Sequence, residues 1–207
     1  GAEGGIEAGV FSLRPNMTMQ EIARQLQHGR LPTVTVTIPE GWRAEQIAKR
    51  LEDKHVTSES DFLQAVLQGR SDYEFLDDGP PGSSVGLEGF LFPDTYELPV
   101  ETTPGRVIDI MLRNWDQRVA PELGQKAADQ GFSLYELVNL ASIVEREAVL
   151  PEERPLIASV YLNRLQAGMY LQADPTVQYA KGYDQEAERW WSPVTQEEYS
   201  SVDSPYN

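Results

Sequence analysis

The sequence predicts an α+β fold, a small β-α-β module followed by a mostly helical domain with short strands. Three features predict it. Thr33-Val-Thr-Val-Thr-Ile38 is a β-branched run with the composition of a strand. Several later segments place apolar residues at helical spacing. Asp77-Asp-Gly-Pro-Pro-Gly-Ser-Ser84 is the clearest loop in the chain. It divides residues 1–76 from residues 86–207, with a linker at 77–85.

The elements follow in order. Residues 8–12 read as a short strand. Thr18, with Glu21 three residues on, caps a helix that runs to His28 and stops at Gly29. The strand at Thr33–Ile38 ends in a turn at Pro39-Glu-Gly41. Residues 43–53 form an amphipathic helix with Ile47 and Leu51 four apart, and residues 58–68 another, capped by Ser58 or Ser60. Beyond the loop, an aromatic-rich segment is broken by Pro93. Helices follow over 104–119, 133–147 and 151–167, the last with prolines in its first turns and Gly168 at its end. Residues 169–172 are extended. Asp174 caps a short helix through Tyr179, with Pro175 at its first position.

Composition narrows the function. The chain has 207 residues, 40% hydrophobic and 24% charged, which is an ordinary globular balance. Lys and Arg number 17 against 33 Asp and Glu, a net charge of −16 that argues against a nucleic-acid or anionic-membrane surface. With no cysteine there is no disulfide and no thiolate metal site. His28 and His55 are the only histidines, each in a charged helical stretch, which disfavours a histidine metal site or a Ser-His-Asp triad. Nothing approaches the ~20 apolar residues of a membrane span, and no signal peptide is visible. The glycine-rich start reads as a flexible tail or an artificial end.

The most informative residue is Glu147. On the helix of residues 133–147, Leu137, Leu140, Ala141, Ile143, Val144 and Ala148 gather on one side. At ~100° per residue, Glu147 projects only ~20° from Leu140. Glu145 falls near Leu134 and Val138, also inside the apolar arc. Glu136 has a structural account as the partner of Ser133 in a capping box. Glu145 and Glu147 have none, and they sit at the end where the helix dipole disfavours negative charge. Burial raises a carboxyl pKa, and a protonated glutamate near neutral pH is what a general acid requires. The plainer alternative is a last-turn glutamate bent out to solvent.

Three further clusters carry polar groups suited to a sugar. Tyr161, Asn163 and Arg164 lie near the end of the 151–167 helix, though Arg164 also fits the role of a C-terminal helix cation. Gln172, Asp174 and Thr176 form the second cluster, where N-capping by Asp174 is the plainer account. Phe90, Phe92, Tyr96, Tyr179, Trp190, Trp191 and Tyr206 form the third, with core packing as the default. Asp94 adds a carboxylate for which turn formation is the plainer role.

Five segments in register carry a resemblance: Glu88-Gly-Phe-Leu-Phe-Pro-Asp-Thr-Tyr96, Ala141-Ser-Ile-Val-Glu-Arg-Glu147, Ala158-Ser-Val-Tyr-Leu-Asn-Arg164, Gly168-Met-Tyr-Leu-Gln-Ala-Asp-Pro-Thr-Val177 and Ser204-Pro-Tyr-Asn207. Together they resemble the endolytic peptidoglycan transglycosylases, the YceG-like or MltG family. Upstream, Val36-Thr-Ile-Pro-Glu-Gly-Trp42 before Ala44-Glu-Gln-Ile-Ala-Lys-Arg-Leu51 resembles that family's LysM-like region. The resemblance implies cleavage of the β-1,4 bond between N-acetylmuramic acid and N-acetylglucosamine within nascent glycan strands, leaving 1,6-anhydro-muramyl ends. It maps the catalytic glutamate to Glu147, with Glu145 as the other glutamate of the motif. Glu145, Asp174 or Asp94 would support the transition state. Asn163, Arg164, Gln172, Thr176, Tyr206 and Asn207 would contact substrate. No cofactor or metal is implied. Family analogy adds peptidoglycan synthases as partners, glycan-strand termination as a role and the extracytoplasmic face of the bacterial cytoplasmic membrane as a location. Members normally carry a membrane anchor and continue past Ser-Pro-Tyr-Asn, so the expectation is a partial LysM-like region and a catalytic domain lacking its C-terminal part. The competing expectations are a non-catalytic peptidoglycan-binding or scaffold module and a lysozyme-type glycoside hydrolase.

Overall fold

The computed structural model describes residues 10–27, 32–69, 73–76 and 86–204. The chain forms two compact units. The first combines Gly1–Tyr73 with Pro80–Val119, and the second combines Glu74–Gly79 with Ala120–Asn207. The expected linker at 77–85 lies outside the described residues; the strand at residues 95–99 belongs to the first unit through its pairing with the one at 33–37.

In the first unit, α1 (Met19–Gln25) starts at the expected capping box, with Thr18 Oγ1 accepting from the Glu21 amide and Glu21 Oε2 accepting from the Thr18 amide. Its expected end at His28 and Gly29 lies outside the described residues. β1 (Thr33–Thr37) pairs antiparallel with β2 (Thr95–Pro99), setting Val36 opposite Tyr96 and Val34 opposite Leu98. Side chains alternate across a strand with period two. Val36, Tyr96 and Leu98 are therefore buried while Thr35, Thr37, Thr95 and Glu97 face out. Of the strand expected at residues 8–12, residues 8–9 lie outside the described residues, Val10 is in a β-bridge and residues 11–12 are not in a strand; the described partner of β1 is β2. β2 hides in sequence behind Pro93 and the polar residues of its outward face.

The remaining helices of this unit are α2 (Ala44–Asp53), α3 (Glu59–Gln68) and α4 (Pro104–Arg118). α2 packs on α3 and α3 on α4. Leu51, Phe62, Val66, Leu87, Leu98, Met111 and Leu112 are fully buried among them, each aliphatic side chain contributing ~1.5–3 kcal/mol. Ser58 Oγ caps α3 through the Asp61 amide. Gly86, at φ +55, lets the chain re-enter against α3: a Cβ there would sit 2.0 Å from the Val66 carbonyl oxygen.

The second unit is helical. It contains α5 (Ala120–Asp129), α6 (Leu134–Glu147), α7 (Arg154–Gln166), α8 (Asp174–Lys181) and α9 (Glu198–Ser201), with 3-10 turns at Glu74–Leu76 and Pro151–Glu153. α6 packs against α5, α7, α8 and the first of these turns. Leu140, Val144, Tyr161 and Ala173 form its core cluster, surrounded by Ile143, Ile157, Ala158, Leu162 and Leu171. α5 is not legible in sequence because Pro121 and Gly124 read as breakers and only Ala127 is buried.

Candidate active site

The site grows out of how α6 is fixed. Its first turn is locked by the capping box, Ser133 Oγ accepting from the Glu136 amide at 3.2 Å and Glu136 Oε2 accepting from the Ser133 amide at 2.9 Å. Leu140 and Val144 then point into the core and set the rotation of the helix. Glu147 follows them at i+7 and i+3, so it emerges at the edge of that core, half-buried, as the last helical residue. Ala141 and Glu145, expected inside the apolar arc, are exposed. The reason is the same rotation: Glu145 is ~100° from Val144 and ~140° from Leu140.

Tyr161, on α7, meets Glu147. Its ring is 5% exposed and its Oη donates to Glu147 Oε1 at 3.0 Å. Burial, then the bond to the Glu147 carboxylate, pushes the Tyr161 phenol up to about 12. Among the described residues, Glu147 Oε2 has no hydrogen-bond partner. Tyr161 also feels the charges of Arg164 and Asp174.

Asp174 lies at the other end of this group. α8 begins at Asp174 with Ala173 as its cap, so Asp174 is the first helical residue rather than the cap expected. Its carboxylate, exposed and at the favourable end of a helix dipole, accepts a hydrogen bond from the Tyr199 hydroxyl. That bond, with burial and the Asp174 and Glu147 charges, raises the Tyr199 pKa. Tyr199 sits on α9, which is held by the Lys181–Glu198 ion pair at 2.6 Å and by the Thr195 amide on Glu198 Oε2 at 2.7 Å. Two carboxylates and two phenols thus share one electrostatic neighbourhood.

The other expected residues divide. Asn163 and Gln172 are exposed, and Gln172 adopts φ +51, a left-handed conformation uncommon outside glycine. Arg164 Nη1 donates to the Leu171 carbonyl, tying the end of α7 to the segment before α8. Thr176 Oγ1 donates to the Ala173 carbonyl at 2.8 Å within its own helix turn. Tyr206 and Asn207 lie outside the described residues. Asp94 belongs to the first unit. There Oδ1 accepts from the Thr95 amide at 2.7 Å, and Oδ2 from Asn114 Nδ2 at 3.0 Å and Arg118 Nη2 at 3.1 Å.

Sequence reasoning held Tyr161 in a sugar-reading cluster and gave Tyr199 no role; it missed that their hydroxyls reach the two carboxylates. It also missed Arg146 as a partner of the aromatic set. Arg146, on the far side of α6 from the core, lies over the Trp191 ring at 4.2 Å from its centroid, and Tyr179 packs on the same ring at 6.3 Å. Trp191 is held at φ +61. Tyr161 was visible as the centre of Ala158–Arg164, but no spacing rule pairs it with a residue fourteen positions earlier.

An α+β chain with a carboxylate pair set at a helical core edge is the class these observations define. The chain belongs to the YceG-like family, whose family model matches residues 1–207. It is similar to the endolytic murein transglycosylase of Streptococcus pneumoniae strain D39, with 31% identity over 98% of this chain and 40% of that protein. The enzyme of that name from Bacillus subtilis strain 168 is 29% identical over 98% of this chain and 57% of its own length. The chain therefore spans about two-fifths to somewhat over half of these curated relatives. Among solved structures, a yceG-like protein from Listeria monocytogenes superposes with a TM-score of 0.69 at 30% identity, over 98% of this chain and 68% of that one.

Proposed function

We propose that this chain carries the cleaving site of an endolytic lytic transglycosylase acting on peptidoglycan. The observation that carries the reading is Glu147: a half-buried carboxyl at a helix end, one oxygen anchored by a buried tyrosine and the other without a partner among the described residues. The names of the relatives supply the substrate class. Protonated Glu147 gives its proton to the glycosidic oxygen between N-acetylmuramic acid and N-acetylglucosamine as the C1–O bond breaks. The resulting carboxylate takes the proton of the muramyl C6 hydroxyl as that oxygen bonds to C1, closing the 1,6-anhydro ring. An intramolecular nucleophile has the proximity advantage that an attacking water lacks. One carboxylate therefore suffices where ordinary glycosidases use two.

In this reading Asp174 adds negative charge against the oxocarbenium-like transition state, and Glu145, exposed, is the more remote support. Asn163 and Gln172 meet acetamido and hydroxyl groups directly. Arg164 and Thr176 shape the wall they project from, and Tyr206 and Asn207 are further substrate contacts. Asp94 has its account within the first unit. Residues 1–76 serve as a partial LysM-like region, and the catalytic domain runs from residue 86. Action on nascent strands at the extracytoplasmic face of the membrane, strand termination and proximity to peptidoglycan synthases complete the proposal by analogy. Among the described residues no helix is long and apolar enough to cross a membrane.

Digestion of purified peptidoglycan, with the products weighed, tests the reaction class. Anhydro-muramyl ends support the lyase. Reducing ends indicate a hydrolase, and binding without cleavage indicates a scaffold module.

A further inference from the structure

We infer that Tyr161 is a positioning residue for the acid–base: its hydroxyl, 3.0 Å from Glu147 Oε1, reserves that oxygen and leaves Oε2 as the atom that gives and takes the proton. The inference rests on the reading of Glu147 given above. It concerns which oxygen acts and what holds it there.

Tyr161 is buried at 5% exposure, in a cluster with Leu140, Val144 and Ala173. A buried phenol requires a hydrogen-bond partner, and Glu147 Oε1 supplies it. The phenol, pushed up to about 12, keeps its proton across the working range of any cell-wall enzyme. It is therefore a donor to Oε1 whenever Glu147 is ionised. A proton arriving at Oε1 would have to displace that donor, whereas a proton arriving at Oε2 displaces nothing among the described residues. In the forward step the Oε2 proton passes to the leaving glycosidic oxygen as its bond to C1 breaks. The Tyr161 bond to Oε1 then strengthens, since Oε1 now shares the negative charge. When the C6 oxygen bonds to C1, its proton returns to Oε2 and the site is restored with no water consumed.

Packing makes the tyrosine a fixed reference. Ile157, Ala158 and Leu162 on its own helix and Ile143 on α6 press against the cluster, so the ring cannot swing to follow the carboxyl. Without Oη, Glu147 is a last-turn side chain free to change rotamer. A misplacement of about 1 Å at a reacting group costs ~10²-fold in rate.

The test uses the full chain and purified peptidoglycan, comparing wild type, Tyr161→Phe, Glu147→Gln and the double variant. Tyr161→Phe is expected to bind glycan and hold KM near wild type while kcat falls ~10–100-fold. In the Glu147→Gln background the same change is expected to cost nothing further, because the two act as one unit. A wild-type tyrosine Cζ NMR titration provides a readout independent of variant folding. The Tyr161 resonance should carry a pH-dependent shift that disappears in Glu147→Gln. If Tyr161→Phe cleaves at the wild-type rate while Glu147→Gln is inactive, the positioning role is wrong and the glutamate reading stands. If Glu147→Gln itself cleaves normally, both fall. A loss that is equal in both backgrounds, or a Tyr161 resonance blind to Glu147, makes the tyrosine merely structural and overturns the inference.

Discussion

Asp94 and Glu147 show two carboxylates of one chain put to different uses. Both Asp94 oxygens are occupied by donors from Thr95, Asn114 and Arg118. The Asn114 amide first, then the Thr95 amide, with Arg118 adding charge, hold its carboxyl below the usual range. A lowered folded-state pKa contributes stability that is present above the unfolded value and lost as pH falls through the folded one. Asp94→Asn should therefore lower the thermal midpoint at neutral pH, and the gap to wild type should close in acid. A gap of constant size from neutral to acid pH would contradict the role. In sequence Asp94 and Asp174 looked alike, because a sequence displays carboxylates but not the donors that meet them. Asn114 lies twenty positions away, on another element. Glu147 was legible for the opposite reason. Its oddity is local, an acidic residue on the side of a helix that Leu140 and Val144 define. Glu145 shows the limit of that reasoning, since a broad apolar arc on a wheel does not say which part of it meets the neighbouring helix.

At the scale of elements, local chemistry was legible wherever the signal is contained in a few residues. The capping boxes of α1 and α6 and the Ser58 cap of α3 stand where the Ser/Thr spacing puts them. Ser133→Ala should cost ~1 kcal/mol in urea unfolding. It should also free the start of the helix that carries Glu147; an unchanged midpoint would show the cap to be idle. Close approach between distant segments was not legible. Gly86 is needed because its backbone passes against Val66, not because of anything beside it in sequence. At φ +55 with the Val66 carbonyl in the way, Gly86→Ala should destabilise by more than ~1 kcal/mol, measured by the same unfolding. Near-wild-type stability would mean that the two segments can part. β2 and α5 were missed for a related reason. Their turn-forming residues dominate a local reading, while their stability comes from β1 and from α6.

At the scale of the molecule, the sequence conveyed an α+β chain with a helical second half, and the motifs conveyed the family. It did not convey that residues 86–119 pack with the first unit, which rests on the β1–β2 pairing and on α4 against α3. The second unit alone holds Glu147, Tyr161, Asp174 and Tyr199, so the proposed chemistry draws its groups from one compact body. The most direct test of that chemistry is digestion of peptidoglycan in 18O-labelled water by wild type, Glu145→Gln and Glu147→Gln, with mass spectrometry of every new muramyl end. The account predicts new ends free of 18O and lighter by one water from wild type and Glu145→Gln, and none from Glu147→Gln. New ends carrying 18O, or anhydro ends produced as fast by Glu147→Gln as by wild type, would contradict it.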